Sequence, residues 1–394
     1  MRPESKQTYQ SFLKYFYAYR FFNDFAFIYA VYILLFKMNG LSVFEISLLL
    51  ALWCGFVILF EVPTGALADK WNRKYMLSLG MLSKAIGFGI WFFADDFWLF
   101  ALGFLFWGIQ EAFCSGTQEA LLFDNLKDFG KEDAYERIAG QGYFYSKIAA
   151  AISVFLGGFL ASISFHVVIL LSSASMVAAL LPTLFFRDVR FDQSSQQKKK
   201  YFHAIKDAFK ESAKDIIIKR LFLYTAVVLA VIGVLDEYEQ LFFHWVGLPI
   251  AFFGVFIVMR MGLEAVGSKV AYRLQKYFKN SKNIYLFAML SGILLIAAIT
   301  MKSIFMLPVF ALVFLFGSVG EVLVEAGLQR QIQSDQRATI LSINSLLLNL
   351  SAIFLAVGFG ILSKIGDLTW GFFAFGVLVI LFSVISMVFK RSEW

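Results

Sequence analysis

The chain has 394 residues, of which 60% are hydrophobic and only 16% charged, where a soluble domain carries about 25% charged residues. Its 48 Phe, 16 Tyr and 8 Trp are more than a soluble core of this length buries, so the composition excludes an ordinary soluble fold and points to a lipid-solvated one. The formal net charge of +7 does not indicate a nucleic-acid partner, because the basic residues follow a membrane topology rather than one face or tail.

A membrane-spanning helix needs about 20 mostly apolar residues. Twelve stretches qualify: 14–36, 42–64, 75–93, 97–123, 137–161, 165–186, 219–245, 249–272, 283–300, 303–327, 338–362 and 369–389. Residues 1–15 are polar and basic, and the apolar stretch after them is too long for a signal-peptide core. It is read as a retained first span. Pro63, Pro182, Pro249 and Pro308 fall near span ends, where a missing N–H costs least.

Lys and Arg set the orientation. With both termini cytoplasmic, 28 of the 35 lie in cytoplasmic segments or at the inner ends of spans, three (Lys37, Lys302, Lys364) lie outside, and four (Arg20, Lys84, Lys147, Arg260) fall deeper within spans. A multi-pass protein of a bacterial cytoplasmic (inner) membrane is expected.

Between spans six and seven, residues 187–218 form the longest polar stretch, with Lys198, Lys199 and Lys200 in a row. From Tyr201 to Ile218 the spacing of Phe202, Ile205, Phe209, Ala213 and Ile216 predicts an amphipathic helix on the inner membrane surface. Three regions follow: a six-helix bundle over 1–186, a cytoplasmic linker over 187–218, and a second bundle over 219–394. A shift of 200 residues places Arg137 on Arg337 and Gly158 on Gly358, so the halves read as repeats.

The loop between spans two and three reads Gly65-Ala-Leu67-Ala-Asp69-Lys70-Trp-Asn72-Arg73-Lys74. It is similar to the signature loop of the major facilitator superfamily, G-x-L-A-D-R-x-G-R-K. The resemblance implies twelve helices in two pseudo-symmetric six-helix bundles, an all-α membrane fold. It also implies that Asp69 and Arg73 lock an inner gate. Gly65 would let two helices approach, Lys74 belongs to the same basic loop, and Asp124, at the inner end of span four, is placed to partner Arg73. Asn72 stands where the family often has Gly, and Asn tolerates a left-handed backbone as Gly does. Phe104 stands where drug–proton exchangers often carry an Arg, and span five has Gly157-Gly158 without a preceding Pro.

An ionisable residue at membrane depth is a functional candidate by default. The resemblance implies that the first span of each triplet (one, four, seven and ten) lines a central cavity. These spans carry Asp24, Glu111, Glu119, Asp236, Glu237, Glu239, Glu321 and Glu325, and span eight adds Glu264. Nine carboxylates therefore face four cations, and a carboxylate without a counter-charge can bind and release a proton. Asp24, Glu111 and Asp236 lead the proton-coupling candidates, followed by Glu321 and Glu325. Arg20 and Asp24, and Arg260 and Glu264, are four residues apart and are predicted to pair. Arg20, Lys147, Arg260, Glu264, Tyr143 and Tyr238 are the solute-binding candidates.

Cys54 and Cys114 lie in apolar segments, and the three His (His166, His203, His244) have no ligand spacing, so no metal site is expected. With no phosphate-cradling glycine loop and no catalytic constellation, no enzyme activity and no cofactor are expected. The sequence reads as a monomeric secondary transporter whose partners are a small organic solute, polar or anionic, H⁺, and membrane lipid. A drug or toxin efflux pump and a lipid flippase are the alternatives.

Overall fold

The computed structural model describes residues 7–68, 71–187, 189, 215–274, 282–331 and 337–388. Among these the regular structure is helical throughout. Eleven helical segments are long and apolar enough to cross a membrane. The segment at the ninth position, Lys282–Ala298, has 17 residues, or about 26 Å at 1.5 Å per residue. The protein is thus a multi-pass integral membrane protein, with spans where the hydrophobic pattern predicts them.

Three spans are interrupted where the sequence pattern predicts continuous helices. Span one is a helix over Tyr9–Asp24, a 3-10 turn over Phe27–Ala30 and a second helix over Tyr32–Met38. Span four is Phe97–Cys114 followed by Thr117–Asp128. The break falls at Gly116, whose φ of +70° is one that only glycine adopts freely. Span seven carries a π-helical turn, Thr225–Leu229, between Ile216–Tyr224 and Ala230–Trp245. Hydropathy does not register such breaks, because they change backbone bonding and not composition. In lipid an irregular backbone is tolerated where protein or a wet cavity satisfies it. At the first break, the Ser175 hydroxyl donates to the Phe22 carbonyl (3.2 Å) and the Ile28 N–H donates to Ser172 (3.0 Å).

The remaining spans are Val43–Ala68 (two), Arg73–Phe92 (three), Tyr135–Ile163 (five), Phe165–Thr183 (six), Phe253–Leu274 (eight), Leu307–Gln331 (ten), Arg337–Ile365 (eleven) and Leu368–Val388 (twelve). Their starts carry local polar signals. Ser42 and Glu45 form a reciprocal capping box before span two, with the Ser42 N–H to Glu45 at 2.8 Å and the Glu45 N–H to the Ser42 hydroxyl at 3.2 Å. Asp96 and Asp215 cap spans four and seven. Asn72 caps span three through the Lys74 N–H at φ −63°. The left-handed backbone that Asn and Gly both tolerate is not used here. The Asn72 side-chain oxygen satisfies a free helix donor, which glycine could not.

Span seven begins at Ile216, inside the stretch read as a surface helix, because the Asp215 carboxylate starts a new helix there. The rest of that stretch, 201–214, lies outside the described residues.

The chain divides into two compact units. The first comprises Met1–Asn39, Leu52–Asp192 and Ile250–Val255, and the second comprises Gly40–Ala51, Gln193–Pro249 and Phe256–Trp394. Within the first, Gly157 of span five meets span one so closely that a Cβ would run into the Phe27 carbonyl oxygen. Gly158 faces the start of span eight, 2.8 Å from the Ile250 carbonyl oxygen to an added Cβ, whereas Gly358 has open space around it. The matched glycines of the two halves therefore play different packing roles.

Candidate functional site

In the second unit, Arg260 of span eight is the hub. Its guanidinium pairs with Asp236 and with Glu239 (2.7 Å), both on span seven, and with Glu264 one turn along its own helix (2.5 Å). Its carbon lies 4.4 Å from the Phe314 ring centre on span ten. Arg260 and Glu239 are buried, with side chains 8% and 3% exposed, while the Asp236 carboxylate is open at 49%. One planar cation thus holds three carboxylates, which the five donors of a guanidinium permit. Glu237 lies within electrostatic reach of Arg260, and Glu321 of Glu264. The predicted Arg260–Glu264 pair is present, but as one edge of a larger cluster. Among the described residues the guanidinium of Arg260 faces three carboxylates and a ring, so the residue offers little to an anionic solute.

In the first unit the hub is an indole. Trp107 of span four packs its ring against Tyr29 (5.5 Å), Tyr32 (5.9 Å), Trp53 (5.4 Å), Phe88 (5.7 Å), Trp91 (5.9 Å) and, stacked, Phe104 (5.7 Å), and its Nε1 donates to Glu111 one turn on (3.1 Å). Lys84, 3% exposed on span three, places its ammonium 4.6 Å from the Trp107 ring centre and donates to the Tyr29 hydroxyl at 2.7 Å. Tyr29 sits in the 3-10 turn of span one, so the break in that span carries the hydroxyl to the ammonium. Asp24 and Glu111 lie within electrostatic reach of Lys84. In the sequence Lys84 stands out only as one of four cations within spans. That depth is the available signal, since a lone lysine within the membrane needs partners.

The other predicted residues fall as follows. Arg20 and Asp24 do not pair: the helix ends at Asp24, Arg20 donates to Gln118 (2.9 Å) and Asp24 accepts from Asn23 (3.1 Å). Tyr143 is exposed on span five, and the Lys147 ammonium lies 5.1 Å from its ring centre. Tyr238 is fully buried, stacked on Phe359 at 4.0 Å, with its hydroxyl donating to Ser47 at 2.6 Å. Both its ring and its hydroxyl are engaged in packing. Glu321 and Glu325 are exposed on span ten.

At the loop between spans two and three, Arg73 pairs with Asp124 and donates to the Ala120 carbonyl (3.2 Å). This ties the start of span three to the end of span four. Lys74 lies over the Tyr75 ring at 5.8 Å, and Gly65 falls near the end of span two. Asp69 lies outside the described residues. Among the described residues no group of His, Cys, Asp and Glu is arranged to hold a metal ion.

Comparison with known proteins places this architecture. A stretch of 145 residues is 28% identical to the tetracycline resistance protein, class H, of Pasteurella multocida. It covers 36% of this chain and 35% of that relative, so the chain matches about a third of the relative's length. Three solved structures share the fold over nearly the whole chain. The nucleoside transporter NupG superposes with a TM-score of 0.74 at 13% identity, covering 97% of this chain and 99% of that one. A bacterial homolog of the human lysosomal transporter Spinster, in an inward-facing and unoccupied conformation, gives 0.72 at 17% identity, covering 98% and 96%. A POT family transporter in complex with 5-aminolevulinic acid gives 0.72 at 12% identity, covering 96% and 95%. Residues 16–335 match the sequence profile of the Major Facilitator Superfamily. That match spans most of the chain, and with the helical architecture it establishes that this membrane protein belongs to the major facilitator superfamily, a family of transporters.

Proposed function

We propose that the protein is a proton-coupled secondary transporter of a small organic solute, working by alternating access in a bacterial cytoplasmic membrane with both termini inside. The observation that carries coupling is the Arg260 cluster. Three carboxylates share one cation that cannot itself lose a proton. Two negative charges are left over when all three are ionised, and binding protons is the simplest way to neutralise them in a low-dielectric surround. Glu239 is buried and Asp236 is open, so a proton has both an entry group and a sheltered one.

An anionic solute, expected from the sequence on the strength of Lys147 and Arg260, loses the support of Arg260, which already faces three carboxylates. A neutral, cationic or zwitterionic solute suits the cluster better. Export is the second reading. The ring assembly around Trp107 suits a planar, partly apolar solute, and the matched relative is a tetracycline resistance protein.

The test uses proteoliposomes loaded with a pH-sensitive dye. They are challenged with neutral, cationic, zwitterionic and anionic benzene derivatives of equal size. At least one should move protons through wild-type protein, and Glu239→Gln should lose that proton flux while keeping solute exchange at equal concentrations. Solute movement with no proton flux in wild type would remove the coupling assignment.

A further inference from the structure

The Lys84 ammonium and the Glu111 carboxylate are both inside the first unit, on spans three and four, and among the described residues neither makes a direct ion pair. Trp107 stands between their roles. The ammonium sits over its ring face and the carboxylate accepts from its edge N–H. An ammonium has three N–H donors, and the single hydrogen bond here goes to Tyr29. Two donors are left to ring faces or to something else. Glu111 has two oxygens and one hydrogen bond, from Trp107.

Opposite buried charges normally close on each other, because an unpaired one costs several kcal/mol. Here they are within electrostatic reach yet held apart by an indole. A second observation comes from span two. Trp53 packs on Trp107 at 5.4 Å, and its buried Nε1–H has no hydrogen-bond partner among the described residues. Buried indole N–H groups usually find a partner. An unused donor beside two separated charges and a flat aromatic wall is a set of groups awaiting a polar ligand.

We infer that Lys84, Glu111, Trp107 and Trp53 form a solute subsite that takes a planar zwitterion. The solute's anionic end meets Lys84, its cationic end meets Glu111, and its ring or amide plane lies against Trp107 while accepting from Trp53. This assigns Glu111 to solute recognition, where the sequence pattern suggested proton coupling. It also gives Lys84 a reason to be buried at membrane depth. A solute bearing one charge would satisfy one end of the subsite and leave the other exposed to the same penalty as before. The inference rests on the transporter reading but not on proton coupling.

The experiment measures binding to the purified full chain in nanodiscs, by the shift of its thermal unfolding midpoint and by quenching of tryptophan fluorescence. The probes are 4-(aminomethyl)benzoate, 4-methylbenzoate and 4-methylbenzylamine, which share a ring and differ in charge. The zwitterion should bind about tenfold more tightly than either single-charge probe, as one charge-assisted contact implies. Lys84→Met should abolish the preference over the cation, and Glu111→Gln the preference over the anion. If Lys84→Met fails to fold, Trp53→Phe serves in its place. It keeps an aromatic ring, removes the free N–H, and should weaken the zwitterion about threefold or more. Equal binding of all three probes, binding of none, or unchanged discrimination in the variants would overturn the subsite. Because binding is read without transport, such a result leaves the coupling proposal standing, and loss of proton flux with intact zwitterion binding does the reverse.

Discussion

The two units each bury a cation among carboxylates and rings, and they do so in opposite ways. In the second, Arg260 collects three carboxylates by direct contact. In the first, Lys84 touches the Tyr29 hydroxyl and the Trp107 ring face, and its carboxylates stay at a distance. The cation chosen matches the task. A guanidinium is a rigid fork that serves several carboxylates at once, whereas an ammonium is a point charge on a flexible stem. An over-acidic cluster in direct contact is suited to exchanging protons. A separated pair of opposite charges is suited to holding a dipolar ligand.

The largest effect that tests this contrast is at Arg260. Arg260→Met strands buried Glu239 among acidic neighbours, and removing one partner of such a cluster costs about 3–5 kcal/mol. A collapse in yield of folded protein, read by size-exclusion profile and thermal unfolding, is expected. Arg260→Lys should recover little of it, since an ammonium cannot reproduce the three-way contact. Full rescue by lysine would erase the distinction between the two hubs.

Next comes Glu239→Gln, which should fold and lose proton-driven accumulation while equilibrium exchange persists. Glu111→Gln should do the opposite, keeping coupling for whatever it still binds. The two variants trading phenotypes would invert the assignment of roles.

A smaller effect is expected at Gly116, which sets the break between Glu111 and Gln118. An alanine there is held at φ +70°, a cost of about 1–2 kcal/mol. Gly116→Ala should lower the unfolding midpoint and disturb solute binding more than proton exchange. An equal loss of both would show that the break serves the whole protein and not the Lys84 side alone.

The smallest is a control outside both clusters. Asn72→Ala removes a helix cap and should cost about 1 kcal/mol, while Asn72→Gly should cost only a few tenths. Transport per folded molecule should be unchanged in both, provided the Arg73–Asp124 tie at the same helix start is intact.

The sequence by itself determined the membrane class, the places of the spans and the family, because hydropathy and the loop around Gly65 and Arg73 are properties of consecutive residues. Local spacing also sufficed for Arg260 with Glu264, one helical turn apart, and charge sign with position suggested Arg73 with Asp124. Only the tertiary structure decided that Arg260 also gathers Asp236 and Glu239 from another helix, that Arg20 turns to Gln118 and not to Asp24, and that Lys84 reaches Tyr29. Those contacts join residues distant in the chain, and they depend on where spans one, four and seven break. A break costs few hydrogen bonds and leaves composition untouched, so nothing in the hydrophobic pattern marks it. It nevertheless fixes which way each charge points, and in a membrane interior that direction determines which partner the charge can have.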